Sequence, residues 1–187
     1  MWLIDFGVDA SLEEAAQYEK PFAYVQRTVA PKYEHLKKRW WIHERVRPEM
    51  RAAISRLQRY IVTPHTSKHR LFAWLDNSTI PDHGLVVFAR EDDYFFGVLH
   101  SKVHELWARH TGTQLGEAES GFRYTPSTTF ETYPLPWSPS QEPSGSENEH
   151  VAAIAAAARE LDAFRHAWLN PPGVGVTISE RMVAKRT

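Results

Sequence analysis

Three short runs rich in β-branched and aromatic residues, Tyr60-Ile61-Val62, Leu71-Phe72-Ala73-Trp74-Leu75 and Gly84 to Ala89, are followed at once by a stretch of helical period. In that stretch, Tyr94 to His110, apolar residues recur at Phe95, Val98, Leu99, Val103, Leu106 and Trp107. A strand turns a new face every second residue and a helix every 3.6, so the two patterns belong to different elements that must bury their apolar faces on each other. The expected fold class is α+β, a small mixed β-sheet flanked by helices. Pro64, Thr66 and Ser67 separate the first two runs, and the Pro81-Asp82-His83 turn precedes the third. Glu91-Asp92-Asp93 places acids where a helix N-terminus favours them, and Gly112 closes the helix.

The first third reads as helical. Ser11-Leu12-Glu13-Glu14 is a capping box opening a helix to about Tyr18, and further helices are expected at Phe22–Val29, Tyr33–Trp41 and Pro48–Arg59. Beyond the central helix, Phe122–Pro126 and Thr128–Tyr133 look extended, and Pro134, Pro136 and Pro139 end regular structure. A polar linker from Ser138 to Glu149 leads to an Ala-rich C-terminal helix, Val151–Leu169, stopped by Pro171-Pro172-Gly173. The expected division is a helical basic segment at 1–58 packing on a recognition core at 59–137, a linker at 138–149, and a C-terminal helical segment at 150–187 that packs back or swings away.

The whole chain has a formal net charge of only −1, but Lys20 to Arg70 holds thirteen Lys and Arg against Glu34, Glu44 and Glu49. That local excess suits a phosphate backbone; the competing reading is a solvated helix surface offset by acids nearby in space. Absence of cysteine excludes disulfides, thiolate metal sites and cysteine nucleophiles, and fits a reducing compartment. No run approaches the roughly 18 to 20 apolar residues of a membrane span, and Met1 to Gly7 has no basic region ahead of an apolar stretch, so the expectation is a cytoplasmic protein without a membrane.

Catalytic motifs are incomplete. Asn170-Pro171-Pro172 matches the start of the amino-methyltransferase signature, but Gly173 stands where an aromatic residue must stack on a flipped base, and the motif follows a helix. No Gly-rich strand-to-helix turn marks a nucleotide or adenosylmethionine pocket. His100 and His104 are spaced to share a helix face, as a metal site would use, yet Ser101 occupies the general-base position of a zinc hydrolase helix. Glu13-Glu14 and Asp92-Asp93 are accounted for by helix N-termini. What remains is a set of donors suited to phosphate contact and base readout: Lys68, Arg70, Arg90, His100, Lys102 and Arg123, with Ser67 and Tyr124 as phosphate partners. Tyr94-Phe95-Phe96-Gly97, Trp74 and Trp107 read as core, and Trp40-Trp41 as a surface against another domain.

Several blocks together resemble the C-terminal half of the MmeI-like, type IIL restriction-modification enzymes and related adenine-specific DNA methyltransferases. They include Trp2 to Gly7, Glu19-Lys20-Pro21-Phe22, Arg59 to Pro64, Ser67-Lys68-His69-Arg70, Asp92 to Ser101, His104-Glu105-Leu106-Trp107, and Arg123-Tyr124-Thr125-Pro126 running to Pro134. The resemblance implies a target recognition domain for double-stranded DNA followed by a helical tail. It also implies that catalysis, S-adenosylmethionine and the Asn-Pro-Pro-aromatic motif reside in a preceding catalytic domain, an adenine-N6 methyltransferase. On this reading the chain is a non-catalytic fragment without cofactor or metal of its own. The alternative is a module that docks on the methyltransferase domain and has little DNA affinity; a small metal hydrolase using His100 and His104 is a third reading.

Overall fold

The computed structural model describes residues 3–33, 39–114 and 121–172. The chain divides into two units, Met1–Arg56 and Leu57–Thr187. In the first, α1 (Leu12–Ala16) opens on the expected capping box: the Glu14 N–H donates to Ser11 Oγ at 3.1 Å and the Ser11 N–H to Glu14 Oε2 at 2.7 Å. Helix α2 (Glu19–Thr28) begins before Phe22 because Pro21 sits in the first turn, where its missing N–H is harmless. The helix expected from Tyr33 is not found as such. A short α3 (Ala30–Tyr33) ends there, residues 34–38 lie outside the described residues, and Trp40 and Trp41 are in a turn. Helix α4 (Pro48–Ile54) stops at Ser55, short of the expected Arg59.

Polar and aromatic contacts tie this unit together. Arg51 forks onto Asp5, Nη1 to Oδ2 at 2.6 Å and Nη2 to Oδ1 at 3.2 Å. Burial raises the Asp5 pKa, but hydrogen bonding and charge from Arg51 outweigh it and hold the carboxyl below its ordinary value. The Trp41 indole N–H donates to Ala10 O at 2.8 Å, and Phe6, Phe22, Trp40 and Trp41 form a run of tilted and edge-on ring contacts.

The second unit is built on β1 (Arg59–Pro64), the central strand of an antiparallel sheet with β3 (Ala73–Asp76) and β4 (Leu85–Phe88) on either side. The α+β class holds, but the expected single mixed sheet is two antiparallel ones. The other has the order β2-β6-β5, from β2 (Thr66–Ser67), β5 (Thr113–Gln114) and β6 (Phe122–Arg123). Phe72, Phe88, Phe95, Phe96, Leu99, Phe122 and Tyr124 are buried in one cluster, each such side chain contributing about 1.5–3 kcal/mol relative to exposure. Trp74 stacks on Phe96 with centroids 4.6 Å apart, as expected of a core residue.

The long central helix is broken. Ser101 is extended (ψ 148°), closing α5 (Asp93–His100) and opening α6 (Lys102–Thr111) by accepting the His104 N–H on its hydroxyl at 3.1 Å. The break explains why Val103 and Leu106, in phase with α5, are 65% and 66% exposed. Residues expected to be extended after β6 instead form the one-turn helix α7 (Pro126–Thr129) and a turn. Helix α8 (Glu149–Leu169), capped by Asn148 Oδ1, packs back along α5 through Val151, Ile154 and Ala158. Contact is close at Gly97, where a Cβ would come within 2.7 Å of Ile154 Cγ2. The expected linker is pinned: Arg90 donates to Glu142 Oε1 at 3.0 Å. Gly173 and the tail beyond it lie outside the described residues.

Candidate nucleic-acid interface

The second sheet has two unlike faces. Its register places Thr66 and Thr113 on either side of Arg123, and all three are exposed; Ser67 and Gln114 flank Phe122, which is buried. Alternation along the strands thus produces one outward row, Thr66–Arg123–Thr113, of a cation between two hydroxyls. Lys68 and His69 follow β2 and are exposed as well. Arg123 and Lys68 form no ion pair with any described residue.

The inward face is fastened by Arg70. Its Nη1 donates to Thr63 Oγ1 at 3.0 Å and to the Pro64 carbonyl, and its Nη2 to Phe122 O at 3.2 Å. The guanidinium lies over the Phe122 and Tyr124 rings, 5.3 and 4.9 Å from their centroids. Burial is the main cause that pushes the Arg70 pKa down to about 10.

Beneath it lies a second polar chain. His104 is fully buried; its Nδ1 is 2.8 Å from Leu99 O, a carbonyl that can only accept, so Nδ1 carries the proton. Its Nε2 then accepts from the Tyr124 hydroxyl at 3.0 Å. Burial lowers the His104 pKa and raises that of Tyr124, which favours the neutral form of each, and both ring nitrogens of His104 are paired in the chain Tyr124–His104–Leu99.

The sequence-derived candidates therefore separate. Ser67, Lys68, Arg70, Arg123 and Tyr124 are brought together around the second sheet. Of these, Lys68 and Arg123 present their charge to solvent, whereas Tyr124 is 0% exposed with its hydroxyl engaged, so it offers no phosphate a partner in this arrangement. Ser67 Oγ donates to the His69 carbonyl. Arg90 stands elsewhere, at the start of α5, donating to Asp92 Oδ2 at 2.8 Å and to Glu142. Burial alone would lower the Arg90 pKa, but the two carboxylates raise it. His100 Nε2 donates to Phe72 O at 3.1 Å, and its ring packs on Phe96. Lys102 is exposed at the start of α6.

His100 and His104 do not form the shared-face pair that their spacing implies, because Ser101 separates their helices and both nitrogens of His104 are occupied. Among the described residues no three His, Cys, Asp or Glu side chains converge as a metal site requires. The connection from β4 to α5, Ala89–Asp92, has no glycine, and Asp92 Oδ1 accepts the Phe95 N–H at 2.8 Å as the cap of the helix. Among the described residues no helix is long and apolar enough to cross a membrane.

Thr66 and Thr113 were not legible as site residues, since two-residue strands carry no periodicity of their own. The available signal was the alternation Phe122-Arg123-Tyr124, aromatic inward and cationic outward.

The chain superposes on a solved structure of the type IIL restriction-modification enzyme MmeI in complex with DNA, with a TM-score of 0.54 and 21% identity over 90% of this chain and 22% of that one. At that identity the likeness speaks for the fold, and the chain spans about a fifth of that enzyme's length. No curated protein matches it. Residues 34–137, more than half of the sequence, match the family described as the MmeI target recognition domain. The chain thus belongs to the family of MmeI target recognition domains.

Proposed function

We propose that this chain recognises a sequence of double-stranded DNA on behalf of an adenine-N6 methyltransferase, and that the outward face of the β2-β6-β5 sheet meets the duplex. The observation that carries the reading is the row Thr66–Arg123–Thr113, with an exposed guanidinium between two hydroxyls on a sheet fastened from below. A guanidinium so placed can donate two parallel hydrogen bonds to guanine O6 and N7 or to a phosphate, while the threonine hydroxyls suit phosphate positioning. A methyltransferase that must extrude its adenine from the stack benefits from such a register-setting surface. In this reading S-adenosylmethionine and the catalytic residues belong to the methyltransferase domain. The test is selection from a random-sequence duplex pool by the full chain at two salt concentrations. Enrichment of one short motif is expected, and Arg123→Ala should relax one position by about 1–3 kcal/mol if the side chain reads a base, or shallow the salt dependence by about 0.9 in log–log slope if it holds a phosphate.

A second reading, docking on the methyltransferase domain, is favoured by α8. Leu161, Phe164 and Trp168 form an exposed apolar stripe on the C-terminal half of the helix, beyond the turns packed on α5, and Phe164 and Trp168 are 72% and 74% exposed.

A further inference from the structure

We propose that Arg70 is a positioning residue for this interface, holding strand β6 so that Arg123 is presented outward at a fixed height and angle. The inference rests on the reading of the β2-β6-β5 face as the DNA-contacting surface. Arg70 acts on both immediate neighbours of Arg123: it donates to the Phe122 carbonyl and lies over the rings of Phe122 and Tyr124. Its other bonds go to Thr63 and Pro64 at the end of β1, so a single planar group ties the second sheet to the first.

The residue type is informative. Arg70 Nε is buried without a partner, and the acceptors that the guanidinium does reach are neutral carbonyls and a hydroxyl, so the cation is retained in an unfavourable setting. Well-packed apolar side chains are often at least as stable at such buried positions. Only a rigid fork, however, can bond Thr63, Pro64 and Phe122 together while stacking on two rings, and lysine, with one compact ammonium, cannot.

A double-mutant cycle on the full chain tests the assignment, read as affinity for a fluorescein-labelled duplex recovered from the random pool, with folding of each variant checked by thermal melting. Arg70→Lys should weaken binding roughly five- to tenfold when Arg123 is present and less than about twofold in the Arg123→Ala background, because Arg70 acts through Arg123. Equal losses in both backgrounds, or no loss in either, would overturn the assignment; equal losses are also what a direct phosphate contact by Arg70 would give. If Arg70→Lys does not fold, Thr63→Val removes one of its acceptors at nearly constant shape, and the same cycle with Arg123→Ala decides the question. An affinity untouched by Arg123→Ala would instead overturn the reading of the face itself, and this proposal with it.

Discussion

Replacing Gly112 by alanine should destabilise the second unit, although alanine is conformationally acceptable there. Gly112 has φ −86°, so no left-handed backbone demands glycine, and restricting the unfolded chain would by itself add about 0.4–1 kcal/mol of stability. Against that, the new Cβ would sit 2.2 and 2.3 Å from Phe122 Cζ and Cε2 and 2.8 Å from Ala108 O. The ring cannot simply turn aside, being 5% exposed and covered by the Arg70 guanidinium. Overpacking of this kind costs about 1–3 kcal/mol, leaving a net loss of about 1–2 kcal/mol and a melting temperature lower by roughly 3–8 °C. The matched control is Gly145→Ala, whose Cβ would meet Ala152 at an ordinary 3.6 Å and should be neutral or slightly stabilising. Urea unfolding of both variants beside the parent gives the comparison. A Gly112→Ala protein as stable as Gly145→Ala would refute the close packing of β6 on the end of α6, and with it the geometry assigned to Arg123.

Stability should also fall as pH drops below about 6.5. Burial, the main cause at both residues, holds the His100 and His104 pKa values below those of the unfolded chain, so the unfolded state takes up protons first; each residue contributes stability that is present above pH ~6.5 and lost as pH falls through its folded value. Urea midpoints at pH 7.5, 6.5 and 5.5 would show the decline, and a flat profile would contradict the burial of both rings. Glu142→Gln should weaken the tie to Arg90 and increase proteolytic cleavage between Ser138 and Asn148, with α8 itself remaining protected; an unchanged cleavage rate would mean that the Arg90 contact does not hold the segment.

The main elements were legible where local chemistry decides them. The Ser11 capping box, the acids ahead of α5, the three runs that became β1, β3 and β4, and the alanine-rich α8 needed nothing beyond nearby residues. The break at Ser101 was hidden because apolar residues continue in helical phase across it, and only the position of a hydroxyl three residues before His104 signals a new N-cap. The second sheet was hidden for a different reason: Thr66 and Arg123 are neighbours only through pairing across 57 positions of sequence. The fate of each cation was equally non-local. Arg90 is neutralised by Glu142 in the presumed linker, Arg70 is stacked inside, and Arg123 is left outside, although all three look alike as donors in the sequence.

That sorting bears on how affinity and discrimination divide within the proposed function. Most of the basic excess between Lys20 and Arg70 belongs to the first unit, where Lys20, Arg27, Lys32, Arg45 and Arg47 are exposed and only Arg51 is matched to a described acid by a close fork. Charges that are numerous, exposed and flexibly borne suit phosphates, which carry the salt-dependent and sequence-independent part of binding. Among its described residues the second unit contributes few cations without an ion pair, but Arg123 is held on a strand whose neighbours are bonded, stacked and buried. Reading a base edge requires a donor held to within a fraction of an ångström, and rigid elements supply that better than charge density does. The small number of free charges on the second sheet is therefore compatible with a recognition surface, because selectivity depends on how firmly a donor is placed rather than on how many there are.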